Sequence, residues 1–108
     1  MSFTGNEDQK ISFSTGAAYT KNYRDQMSSD DRKGGFFSKD AINAVLSQNG
    51  AVGLRIYFGL TDSGKQELVI VGTDKDENDI ISDDAVCLDT MFACPDRCGN
   101  SNILNSDQ

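Results

Sequence analysis

Residues 51–73, AVGLRIYFGLTDSGKQELVIVGT, contain two apolar runs separated by a short polar turn. In the first run, apolar residues alternate with small or polar ones, which is the period of a strand with one apolar face. The alternating apolar residues are Val52, Leu54, Ile56, Phe58 and Leu60. The Asp-Ser-Gly turn at 62–64 and the second run, QELVIVGT, then predict an antiparallel β-hairpin.

The sequence leaves two registers open for this hairpin. A three-residue loop with a left-handed Gly64 places Leu68 and Ile70 on the face of Leu54, Ile56 and Phe58. A two-residue loop places Val69 and Val71 there instead. In either register the second strand carries branched side chains on both faces. We expect helices to cover one face, and the C-terminal segment or a second copy of the chain to cover the other.

Two helices are predicted before the hairpin. The first begins after Ser12 and runs through residues 13–27, and four of its residues are expected to share one face. These are Phe13, Ala17, Thr20 and Met27. The second begins after Ser38, whose hydroxyl can cap the free amides of KDAINAVLSQ, and it carries an apolar stripe spaced i, i+3, i+4. Residues 28–35, SSDDRKGG, have the composition of a loop.

The segment after the hairpin has two interpretations. Residues 80–93, IISDDAVCLDTMFA, fit a short helix capped by Asp83 or Asp84, and they fit an extended strand almost equally well. From Cys94 onward the sequence is rich in turn formers. We therefore predict a single α+β domain over residues 1–108: two N-terminal helices packed on a small antiparallel sheet centred on the hairpin. Residues 1–10 are expected to be flexible, and residues 94–108 form an irregular, turn-rich tail.

The charge of the chain excludes some classes of partner. Seventeen acidic and ten basic residues give a net charge of −7. Nucleic acids and anionic lipids require a cationic surface, so we expect neither as a partner. No apolar run is long enough to cross a membrane, and residues 1–10 do not resemble a secretory signal. A cytoplasmic location is the prediction.

Cys87, Cys94 and Cys98 are the candidate chemical residues, spaced C-x6-C-x3-C. A structural zinc site needs four ligands, and the chain has no histidine, so a metal would require Asp89, Asp96, water or a partner as the fourth ligand. The spacing also departs from the C-x2-C of redox pairs, and the cytosol disfavours stable disulfides. Three thiols packed as small apolar groups is therefore the preferred interpretation, with metal and disulfide chemistry as alternatives.

Two further sequence motifs, for phosphate and for calcium binding, are incomplete. Gly59–Lys65 reads G-x-x-x-x-G-K, but the magnesium-binding Ser or Thr is absent and a strand follows. Residues 74–79 resemble a calcium loop without its glycine and its final glutamate. Without histidine, a Ser or Cys nucleophile lacks its commonest base. We therefore expect no cofactor, and an enzyme is the less favoured interpretation.

The chain resembles a family of small single-domain bacterial proteins of uncharacterised function. The resemblance rests on Asn22-Tyr23-Arg24, VGLRIYFGL, LVIVGTD, Asn78-Asp79-Ile80 and CPDRCG, with Ser101-Asn102 after it. Members of that family often carry Pro and Cys in the turn before VG, where this chain has Asn49 and Ala51. The resemblance implies no activity, cofactor or catalytic residue.

The favoured function is a non-catalytic protein-interaction or accessory module. An apolar sheet face or edge is a natural surface for a protein partner or a homodimer. The candidate partner-binding residues are Arg55, Tyr57, Val69 and Val71. The alternative is a thiol or metal-binding protein that uses the three cysteines.

Overall fold

The computed structural model describes residues 2–28 and 30–107. Their secondary structure is of the predicted α+β class. The helices are α1 (Phe13–Gln26) and α2 (Lys39–Leu46), and the strands are β1 (Gly34–Phe36), β2 (Gly53–Leu60), β3 (Gln66–Thr73), β4 (Cys87–Leu88) and β5 (Phe92–Cys94). The chain forms two compact units. The sheet unit comprises residues 2–8 and 37–91, and the tail unit comprises residues 9–36 and 92–107.

The sheet unit is built on the predicted hairpin. Its three strands are antiparallel in the order β2-β3-β4. Gly64 has a left-handed φ of 86°, and the Thr61 amide donates to the Lys65 carbonyl at 2.9 Å across a three-residue loop. This loop sets Ile56 opposite Ile70 and Phe58 opposite Leu68. The register with Leu68 and Ile70 on the face of Leu54 is therefore confirmed.

Helix α2 covers the end of this hairpin that lies away from the turn, near Gly72. The Ser38 hydroxyl accepts a hydrogen bond from the Ala41 amide at 3.1 Å, as the cap prediction requires. The helix packs on β2 and β3, and its Val45 is fully buried. Gln48 joins the end of the helix to the segment just before β4. Its side chain donates to the Val45 carbonyl and accepts from the Val86 amide.

The segment before the tail is extended rather than helical. β4 pairs with β3, with Leu88 opposite Ile70 and Cys87 opposite Val71. β5 pairs with β1 in the tail unit. The helix interpretation of residues 80–93 is therefore wrong, and the strand alternative is confirmed only at β4 and at the start of β5. The loop prediction for residues 28–35 is also wrong at Gly34 and Gly35, which lie in β1.

Helix α1 lies in the tail unit and buries little of its surface. The Ser12 hydroxyl caps it by accepting from the Thr15 amide at 3.0 Å. No residue of the helix is buried, and Phe13 is 75% exposed, so the prediction that Phe13 belongs to a packed face is wrong. The half-buried side of the helix holds Thr20 and Arg24. Arg24 donates to the Leu104 carbonyl at 2.9 Å and to Asp107 at 2.8 Å, which fastens the tail to the helix.

The prediction that both helices pack on the hairpin sheet is thus confirmed only for α2. Helix α1 belongs instead to the tail unit, with the two-stranded β1–β5 sheet. Four apolar residues are buried among those described: Val45, Ile70, Val71 and Met91. All four lie in the sheet unit, which therefore holds the main core.

Candidate functional site

Three large apolar side chains of β2 point into solvent on one face of the hairpin. Phe58 is 92% exposed, Leu60 is 72% exposed and Ile56 is 48% exposed. We call these three residues the apolar edge. They stay exposed because α2 is too short to cover them: its eight residues span about 12 Å, whereas the eight residues of β2 span about 26 Å.

The backbone of the apolar edge is also open. β2 is an outer strand of its sheet, so one side of it has no neighbour among the described strands. Thr61 and Lys65 form a hydrogen-bonded pair, and such pairs alternate along an antiparallel ladder. The odd-numbered residues of β2 therefore bond to β3. The amides and carbonyls of Ile56, Phe58 and Leu60 point to the open side.

The opposite face of the hairpin carries a closed polar cluster. Asp79 accepts from Arg55 Nη1 at 2.6 Å and from the Tyr57 hydroxyl at 2.5 Å. Arg55 also donates to the Glu77 carbonyl and lies 5.9 Å from the centre of the Phe3 ring. A hydrogen bond with the Tyr57 oxygen, and then the charge of Asp79, raise the pKa of Arg55, so the guanidinium stays charged. The cluster holds residues 77–79 against the sheet.

The four predicted partner-binding residues lie together on this second face. Arg55 is opposite Val71, and Tyr57 is opposite Val69. Val71 is only 8% exposed and Val69 is half-buried, while Arg55 and Tyr57 are bonded to Asp79. The sequence-based reasoning missed the apolar edge on the other face. Its signal was the alternation of apolar residues in β2, which predicts an apolar face but not how far a helix covers it.

The structure does not bring the three cysteines into one ligand set. Cys94 and Cys98 form a disulfide in the tail unit, whereas Cys87 is an exposed free thiol on β4 of the sheet unit. The described residues contain no group of three or more Cys, Asp or Glu side chains placed to hold a metal ion. The preferred interpretation, three packed thiols, is wrong for all three, because Cys87 is exposed and Cys94 is bridged to Cys98. The disulfide alternative applies to Cys94 and Cys98.

The disulfide lies among the hydrogen bonds that connect the segments of the tail unit. The Cys94 carbonyl accepts from the Lys33 amide, and the Cys98 carbonyl accepts from the Asn105 side chain at 3.2 Å. Between the two cysteines, the Arg97 guanidinium lies 4.6 Å from the centre of the Phe92 ring. These contacts connect β1, β5 and residues 102–107, so this bridge belongs to the framework of the unit.

A concave surface of the tail unit lies between α1 and the C-terminal residues. This cleft of about 420 Å³ is lined by, among others, Lys21, Arg24 and Asp107. Asp107 is paired with Arg24, and Lys21 is paired with Asp25 of the same helix. Each of these charged side chains thus already has an ionic partner.

No protein-family model, curated protein or solved structure matches this chain. Within residues 2–28 and 30–107, neither helix has the length and apolar character needed to cross a membrane.

Proposed function

We propose that this protein is a non-catalytic protein-interaction module and that its docking surface is the apolar edge. The observation that carries the proposal is that Ile56, Phe58 and Leu60 expose large apolar side chains side by side on an unpaired outer strand. Contiguous apolar surface and an open strand edge are both features of binding sites.

Burial of this surface by a partner would favour binding. Burying one side chain such as Phe, Leu or Ile stabilises a complex by roughly 1.5–3 kcal/mol. Phe58 and Leu60 contribute little to the fold, because most of each side chain stays in water. Their burial by a partner would be gained without dismantling any contact of the sheet unit.

Site-specific photo-cross-linking tests the docking surface directly. A photoreactive phenylalanine analogue replaces Phe58 in the full chain, expressed in its native cells at its normal level. We expect one dominant cross-linked species at this position. The matched control carries the analogue at Ile81, which is 81% exposed in the same unit but outside the hairpin. Equal cross-linking at both positions, or none at Phe58, would contradict the proposal.

A further inference from the structure

We propose that the partner presents a cationic, extended segment that adds to the sheet as a fourth strand alongside β2. This inference rests on the interaction function proposed above and names the chemistry of the partner. It is argued from the open backbone of β2, from the charge of the sheet unit and from the side chains around Gly59.

The first argument is that β2 lacks the usual protection of an outer strand. Natural proteins block such edges with Lys, Pro, bulges or covering segments. Residues 56–60, IYFGL, contain no charge and no proline, and their pairing with β3 is continuous from Gly53 to Leu60. The open groups of Ile56, Phe58 and Leu60 therefore form a regular row for another strand. Strand addition uses such rows for affinity and alternate side chains for specificity.

The second argument is the charge of the unit that carries this edge. The sheet unit holds twelve acidic and four basic side chains, a net charge of −8. The tail unit holds five acidic and six basic side chains, a net charge of +1. The negative excess of the chain thus lies in the unit that carries the apolar edge. Like charges oppose the docking of a second sheet unit, whereas a cationic segment is attracted to it.

The third argument concerns the place of the cationic side chains. A strand beside β2 would project its alternate residues onto the face of Phe58 and onto the face of Tyr57. On the second face, Gly59 has no side chain, so a long Lys or Arg side chain on the partner can lie over it. Apolar residues on the partner's other face would cover Ile56 and Phe58.

A synthetic peptide is the probe for this inference. It has eight residues, the length of β2, with lysine alternating with valine, and it carries a fluorescent label. We expect saturable binding to the full chain, measured by fluorescence anisotropy, and weaker binding as salt is added. Two matched peptides define the chemistry: one has glutamate in place of lysine, and one is N-methylated at every second amide to block pairing. Both are expected to bind at least about tenfold more weakly.

Two variants at one position separate backbone pairing from side-chain contact. Phe58→Pro removes an amide that points to the open side and leaves the ladder with β3 intact. Phe58→Ala removes the ring but keeps this amide. We expect Phe58→Pro to weaken peptide binding by at least about tenfold and Phe58→Ala to weaken it less. Circular dichroism and amide spectra confirm that each variant keeps the hairpin.

The possible failures are distinct. Equal binding of the lysine and glutamate peptides, tight binding of the N-methylated peptide, or no binding at all would overturn the cationic-strand inference. A dimer of the full chain that Phe58→Pro disrupts would overturn it in favour of a second copy. In each of these cases, cross-linking confined to Phe58 would still support the interaction function. Its absence would remove both proposals.

Discussion

At Gly72 the hairpin passes close to the C-terminal end of α2. A Cβ atom added there would lie 2.8 Å from the Gln48 side-chain nitrogen and 3.4 Å from the Val45 carbonyl. Gln48 cannot move freely, because both ends of its amide are hydrogen-bonded. We expect Gly72→Ala to lower the free energy of unfolding by about 1–3 kcal/mol in a urea titration, as overpacking does. Gly53→Ala is the control, since nothing lies within 4 Å of its added Cβ, and its effect should be near zero.

Asp107 gives the tail unit a pH-dependent anchor. A hydrogen bond from Arg24, followed by the charge of Lys21, lowers the pKa of this carboxyl below its ordinary value of 3.8. A lowered pKa means that the anchor stabilises the fold fully above pH 3.8. This stabilisation is lost as the pH falls through the folded-state value. We expect an NMR titration to show that Lys21→Gln moves this pKa upward, towards 3.8.

The disulfide predicts how many thiols of the native protein react. With Cys94 and Cys98 bridged, the native protein should react as one thiol, Cys87, towards an aromatic disulfide reagent. Reduction followed by denaturation should raise the count to three, and Cys87→Ser should lower the native count to zero. Stable disulfides belong to oxidising compartments, so a native count of three would favour the expected cytoplasmic location and contradict the bridge.

The loop after β3 depends on the cluster of Arg55, Tyr57 and Asp79. Asp79→Ala would leave a partly buried guanidinium and a phenol without their shared acceptor. We expect a loss of about 1–3 kcal/mol in the free energy of unfolding, together with faster amide exchange in residues 74–80. Asp76→Ala is the matched control, because that carboxylate lies in the same loop and is exposed. Equal effects of the two substitutions would show that the cluster is not what holds the loop.

At the scale of elements, the sequence predicts what local patterns determine. The period of two in β2, the loop ending in Gly64, and the caps at Ser12 and Ser38 each have a local cause, and each is present in the structure. β1 has no such signal, since two of its three residues are glycines whose pairing depends on β5, far along the chain. Residues 80–93 are ambiguous because short apolar runs fit either period.

The candidate site was only half predictable for a similar reason. The alternation in β2 shows that Ile56, Phe58 and Leu60 share a face, and this needs no tertiary information. Whether that face is covered depends on the length and position of α2 and on which unit α1 joins, neither of which the strand encodes. Arg55 and Tyr57 both donate to Asp79. This pairing could not be predicted, because the position of Asp79 depends on how the loop after β3 folds.

For the whole molecule, the net charge opposes self-association, whereas the open edge of β2 favours it. At neutral pH the net charge of −7 keeps copies of the chain apart. As the pH falls towards the isoelectric point of about 4.3, the carboxylates take up protons and this repulsion disappears. We expect light scattering to show association near that pH, suppressed by Phe58→Ser. Ile81→Ser, which removes an equally exposed apolar residue outside the strands, should not suppress it.

The two units are interleaved along the chain, so their dependence on the C-terminal residues differs. Residues 92–107 supply the second half of the tail unit and no part of the sheet unit. Helix α1 and β1 precede the hairpin in the sequence, but β1 finds its strand partner only in β5, after the hairpin. A chain cut after Met91 would therefore retain every residue of the apolar edge and lose the strand that pairs with β1.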